Sequence, residues 1–146
     1  VDFVDYEINS EPQHFQAARQ AAHHAGAQLI ASFHDFQQTP PAAEIVARLE
    51  TMEEAGADIA KVAVTPRAID DVLTLLGATL AGSRQLRLPI ISVSMGPYGS
   101  LSRLFGWTFG SSVTFAVGDK ASAPGQVAIE DLRIVLDILR RSLAGK

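Results

Sequence analysis

Short runs of β-branched and aliphatic residues alternate along the chain with longer segments whose apolar positions recur at helical spacing. The runs fall at residues 1–8, 28–33, 58–65, 89–94 and 112–117, and the predicted helices at 12–25, 40–55, 66–81, 101–105 and 126–143. Strand starts about thirty residues apart are the spacing of βα units rather than of hairpins. In the second helix Ile45, Val46, Leu49 and Met52 share one face while Glu44, Arg48 and Glu53 lie largely elsewhere, so the apolar stripe is expected to pack on a sheet. Thr39 before Pro40 predicts an N-cap hydroxyl ahead of a first-turn proline. Gly26 and Gly56 fall just past helix ends, where a left-handed residue is wanted.

Parallel strands joined by right-handed crossovers leave two main architectures, a doubly wound open sheet or part of a (β/α)8 barrel. No G-x-G-x-x-G follows the first strand, which removes the best support for a dinucleotide-binding open sheet. In a barrel, side chains pointing inward at the C-terminal strand ends build the site, and here those positions are charged. No linker or low-complexity stretch divides the chain, so residues 1–146 are expected to form one domain, a partial α/β barrel of about five βα units.

Composition narrows the classes further. The 146 residues are 47% hydrophobic and 19% charged, which is the balance of a folded domain and not of a disordered chain. With a net charge of -4 and scattered Lys and Arg, a nucleic-acid surface is not expected. The sequence holds no cysteine, which excludes disulfides and thiolate chemistry within it. No unbroken apolar run approaches the ~18 residues of a membrane span, and a cytoplasmic setting is expected. The chain opens on Val1 inside a strand-like run, so further sequence upstream is expected as well.

The chemistry concentrates on four strands. Alternation places Ile59, Lys61, Ala63 and Thr65 on one face and Ala60, Val62 and Val64 on the other, planting a lysine among apolar neighbours. An amine in such surroundings is a stronger nucleophile toward a carbonyl, although an ion-paired structural lysine fits the same pattern. His34 shares the inward face with Ser32 near a strand end, suited to acid–base work or to a plain rim position. Asp5 and Glu7 also point inward, where two carboxylates need positive partners, and Lys61 and His34 are available. Glu7 has the wet rim as its other reading. A glycine-rich loop before Arg103 suits a small carboxylate or phosphate, and the segment Ser122-Ala-Pro-Gly-Gln126 reads alone as a turn before the last helix. His14, His23 and His24 read as surface residues, since no ligand set accompanies them.

Taken together the segments resemble the type I 3-dehydroquinate dehydratases. The resemblance rests on Ser32-Phe-His34-Asp-Phe36 with Thr39-Pro40, Ala57-Asp-Ile-Ala-Lys61-Val-Ala-Val-Thr-Pro66, Ser94-Met-Gly, Ser102-Arg103, Phe109-Gly-Ser111, Thr114-Phe115 and Ser122-Ala-Pro-Gly-Gln126, in the family's order across essentially the whole chain. It implies a (β/α)8 barrel of the shikimate pathway that dehydrates 3-dehydroquinate to 3-dehydroshikimate with no metal or organic cofactor. Lys61 then takes the place of the Schiff-base lysine and His34 that of the proton-transferring histidine. Arg103 matches the residue that binds the substrate carboxylate, Ser122 and Gln126 the closing loop on the substrate hydroxyls, Asp5 a carboxylate of the pocket and Met95 a methionine that lines it, while Glu7 is a substrate-site candidate from its inward face alone.

One departure from that family stands out. A full barrel needs eight strands and about 250 residues, and five units leave strand edges and an apolar interior uncovered. A homodimer, or pairing with the N-terminal barrel segment, is therefore expected alongside the small-molecule substrate. The competing expectation is a silent, truncated homologue that serves as an assembly or complementation module. Another Schiff-base aldolase barrel would keep Lys61 but gives no reason for the Ser122 to Gln126 loop.

Overall fold

The computed structural model describes residues 1–8, 11–120 and 125–144. Strands β1 (Phe3–Glu7), β2 (Gln28–Asp35), β3 (Ile59–Val64) and β4 (Ile90–Ser94) alternate with helices α1 (Pro12–His24), α2 (Ala42–Glu54) and α3 (Ile69–Gln85). A short helix α4 (Gly99–Phe105), a 3-10 turn at Gly106–Phe109 and helix α5 (Ile129–Leu143) follow. The strands form one parallel sheet in the order β1-β2-β3-β4, as consecutive right-handed βα units require.

The sheet carries apolar residues on both faces, as a parallel sheet inside a βα fold does. On one face Leu29, Ala31, Phe33, Ala60, Val62 and Val64 pack against Phe15 of α1, Ile45, Leu49 and Met52 of α2 and Leu75 of α3. On the other, Ile30, Ile59, Ala63, Ile91 and Val93 form a smaller cluster against which Met95 packs. Strand alternation thus sorts the chain as expected, with Ser32, His34 and Lys61 on the side away from the helices.

Three helix starts lie later than the sequence pattern suggested, among them that of α5, which opens at Ile129. α2 begins at Ala42 with Pro41 as its N-cap residue and no side-chain cap, so Thr39 is not the cap. The reason is the Pro40-Pro41 pair: a proline drives the residue before it out of the helical region, so Pro40 cannot open a helix. α3 begins at Ile69, where the Asp71 carboxylate accepts the N–H groups of Arg67 (2.7 Å) and Ala68 (3.2 Å) and serves the open first turn. Gly26 and Gly56 do take positive φ, 74° and 85°, immediately after α1 and α2.

The fifth predicted strand, 112–117, does not form. Ile90 and Ser111 make an isolated parallel bridge, with Ser112 N–H on the Ile90 carbonyl at 2.7 Å, and the chain then leaves the sheet. Local partners account for the departure: the Thr114 hydroxyl donates to the Arg103 carbonyl (3.0 Å) and Arg103 Nη1 to the Phe115 carbonyl (3.3 Å). These bonds tie the segment to α4 in place of a ladder on β4. Val117 then bonds to both Val127 (2.8 Å) and Ile129 (3.0 Å), closing the base of the loop that precedes α5.

Candidate active site

Parallel pairing in register sets Glu7 beside Ser32 and Ser32 beside Lys61, so three neighbouring strands contribute one polar row on the face away from the helices. Lys61 Nζ lies 2.6 Å from Asp5 Oδ2, with its side chain only 11% exposed. His34 Nδ1 lies 2.6 Å from Glu7 Oε2, and the other Glu7 oxygen accepts the His34 backbone N–H at 3.1 Å. The inward carboxylates therefore meet Lys61 and His34, the two partners that the sequence offered. A half-buried lysine among apolar neighbours is stabilised by such a partner, and Asp5 supplies it.

Beside the row, His34, Lys61, Ala63, Val93, Met95, Arg103, Phe115 and Gln126 line an open cleft of about 170 Å³. The Lys61 ammonium stands 5.4 Å from the centre of the Phe115 ring, and the Phe36 ring stacks on the His34 imidazole with centres 5.7 Å apart and planes within 8°. Arg103 is 4% exposed, and burial draws its guanidinium pKa below the ordinary value. α4 brings it there because the Ser102 hydroxyl accepts the Ser94 N–H at 2.9 Å, fastening the helix to the end of β4. Gly125 has a φ of 78°, and a side chain there would collide with the Gly96 carbonyl, so the loop bearing Gln126 rests directly on the loop after β4.

The structure thus gathers Lys61, His34, Arg103, Gln126 and Met95 around one cleft, with Asp5 and Glu7 immediately behind Lys61 and His34. Ser122 lies outside the described residues. Phe115 was not singled out for the site by the sequence: it lies in an irregular segment where no periodicity assigns a face. Ser32 carried a signal, a hydroxyl on the same inward face as a histidine, that its small size made easy to pass over.

The sheet's opposite end holds a second polar pair. His23 is exposed, as the sequence suggested, and its Nε2 lies 2.7 Å from Asp58 Oδ2, which also accepts the Leu29 N–H at 2.7 Å. Burial alone would raise the Asp58 pKa, but the Leu29 hydrogen bond and the His23 contact outweigh it and hold the carboxyl below 3.8. A depressed carboxylate stabilises the fold above its unfolded value and loses that contribution as pH falls through its folded value. Asp58→Ala should cost about 1–2 kcal/mol in urea unfolding at pH 7. The deficit should shrink as the pH drops below 3.8, and a deficit constant down to pH 2 would show that the carboxylate charge is not its source. Among the described residues no group of three His, Asp or Glu side chains is placed to hold a metal ion.

Fold and cluster together define a βα barrel-type protein with a carboxylate-paired lysine midway along β3 and a carboxylate-paired histidine near the C-terminal end of β2. Comparison with known proteins makes the class specific. The chain belongs to the type I 3-dehydroquinase family, whose model matches residues 1–142. It is 66% identical over 146 residues to the 3-dehydroquinate dehydratase of Aromatoleum aromaticum, covering all of this chain and 56% of that protein. It is 46% identical over 138 residues to the 3-dehydroquinate dehydratase of Neisseria gonorrhoeae, covering 94% of this chain and 54% of that one.

Solved structures agree. The crystal structure of 3-dehydroquinate dehydratase from Geobacillus kaustophilus superposes with a TM-score of 0.93 at 45% identity, over 97% of this chain and 55% of that one. The type I enzyme from Clostridium difficile, determined with covalently modified comenic acid, gives 0.91 at 41% identity, over 97% and 56%. The chain spans just over half the length of the relatives it matches. No helix among the described residues is long and apolar enough to cross a membrane.

Proposed function

We propose that these residues form the C-terminal part of a barrel that dehydrates 3-dehydroquinate to 3-dehydroshikimate, with Lys61 as nucleophile and His34 as the proton-transfer group. The observation that carries the reading is the pairing of Lys61 with Asp5 at 2.6 Å on the wall of the cleft that His34 also lines, in a chain of this family.

Lys61 Nζ, its proton passed to Asp5, adds to the C3 ketone, and that proton then leaves with the carbinolamine hydroxyl as water, giving an iminium that withdraws electrons from the C2–H bond. His34 takes that proton, leaving an enamine. The enamine electrons then expel the C1 hydroxyl, to which His34 returns the proton as water departs. Water hydrolyses the conjugated iminium and restores Lys61. Arg103 holds the carboxylate through its guanidinium, and Gln126 and Ser122 hold hydroxyls as their loop excludes solvent. Met95 and Phe115 supply apolar wall, and Asp5 and Glu7 keep the two reacting groups in place. No metal or organic cofactor takes part in these steps.

The site calls for more wall than β1 to β4 provide. Phe3 on the outer strand is 52% exposed, and Ile134 and Ile138 on α5 are 59% and 51% exposed. Further barrel segment or a second copy covers them in this reading, within a cytoplasmic enzyme. The test of the reaction is chemical: treating the full-length protein with 3-dehydroquinate and borohydride should add one reduced adduct at Lys61, located by peptide mass spectrometry. An adduct at Lys120 instead, or at no lysine, would sink the assignment.

A further inference from the structure

We infer that Ser32, which lies behind the cleft, is a positioning residue that couples the Asp5–Lys61 pair to the Glu7–His34 pair; this rests on the reaction proposed for Lys61 and His34. Ser32 is 1% exposed. Its hydroxyl donates to Asp5 Oδ1 at 2.5 Å and stands 3.4 Å from Glu7 Oε2. The second Asp5 oxygen accepts from Lys61, and the Glu7 oxygen facing Ser32 is the one that meets His34 Nδ1. A continuous line of contacts therefore runs from the amine to the imidazole through one hydroxyl.

Two carboxylates two residues apart on one strand face repel each other. A hydroxyl is suited to the space between them because it donates its proton chiefly to Asp5 at 2.5 Å and, in a longer and weaker contact, faces Glu7 Oε2 as a donor at 3.4 Å. The 2.5 Å bond to Asp5 is charge-assisted and directional, and the 3.4 Å contact to Glu7 is the weaker link of the line. With Asp5 fixed, Lys61 is held at one carboxylate oxygen. With Glu7 fixed, its contact on Nδ1 selects the tautomer protonated there and leaves Nε2 as the nitrogen that takes and returns the substrate proton. Ser32 itself does not line the cleft, so it acts on orientation and not on substrate contact.

The test compares wild type with Ser32→Ala and Ser32→Thr in the full-length protein. Ser32→Ala should lower kcat about 10- to 100-fold, the scale of small misplacements of reacting groups. KM and the thermal midpoint should stay near wild type, and Ser32→Thr, which keeps the hydroxyl, should recover most of the loss. In substrate-free protein, nitrogen NMR should show His34 as the single Nδ1–H form in wild type and as a tautomer mixture in Ser32→Ala, even though Ser32 does not touch the ring. If the threonine methyl prevents folding, the NMR comparison decides alone. An unchanged tautomer with unchanged kcat overturns the inference, and so does a lower kcat that follows only a lower thermal midpoint. Failure to trap substrate on Lys61 in wild type would instead remove the reaction while the NMR result still judges the coupling.

Discussion

Lys61→Ala in the full-length protein should lose dehydration by on the order of 10⁴-fold or more, because removing a covalent nucleophile removes the whole route it opens and not one contact along it. The geometry allows this loss without collapse of the fold. Asp5 keeps its hydrogen bond from Ser32, and its side chain is 40% exposed, so water can take the place of the ammonium. The larger hydrophobic cluster, from Leu29 to Ile90, lies on the other face of the sheet and does not feel the change. Urea unfolding should consequently stay close to wild type. Lys61→Arg should not rescue turnover, since a guanidinium keeps its charge and cannot form the imine. Product formation can be followed through the ultraviolet absorbance of its conjugated double bond. Turnover within tenfold of wild type in Lys61→Ala would end the nucleophile assignment.

His34→Ala should separate the two halves of the chemistry. Imine formation at Lys61 should persist, so borohydride should still trap substrate there, while dehydration slows by about 10²- to 10⁴-fold, the usual contribution of a positioned acid–base group. Trapped adduct should therefore build up in the variant relative to its turnover. The environment of the imidazole supports a moving proton: Glu7 holds Nδ1, Phe36 covers one ring face and the remaining edge belongs to the cleft wall. A variant with wild-type turnover would take His34 out of the reaction, and one that loses trapping altogether would make it a folding or binding residue.

Much of this was legible in the residues. The βα order, the four strands, the division of Lys61 from Val62 between opposite sheet faces and the meeting of Asp5 and Glu7 with Lys61 and His34 all follow from period-two alternation, which depends on the chain alone. Each miss has its own physical cause. Residues 112–117 have the composition of a strand, yet Arg103 and Thr114 offer bonds that draw the chain toward α4 after Ser112. Thr39 has the chemistry of a cap, but its neighbour's neighbour is a second proline. Phe115 reaches Lys61 only because that irregular turn brings it there. The roles of Ser122 and of the loop before Gln126 rested on resemblance, and Ser122 lies outside the described residues.

The in-register row of Glu7, Ser32 and Lys61 bears on how such a sequence can vary over evolutionary time. Because the side-chain period is two, deleting a single residue from β2 ahead of Ser32 would send Ser32 and His34 toward the helices and bring Phe33 to the cleft, ruining core and site at one stroke. The same strand positions that pack Leu29, Ala31 and Phe33 thus also time the arrival of the polar groups between them. Lineages carrying this site are constrained to exchange residues within β1, β2 and β3 and to gain or lose them only in the connections between strands and helices, where a change of length leaves the register untouched.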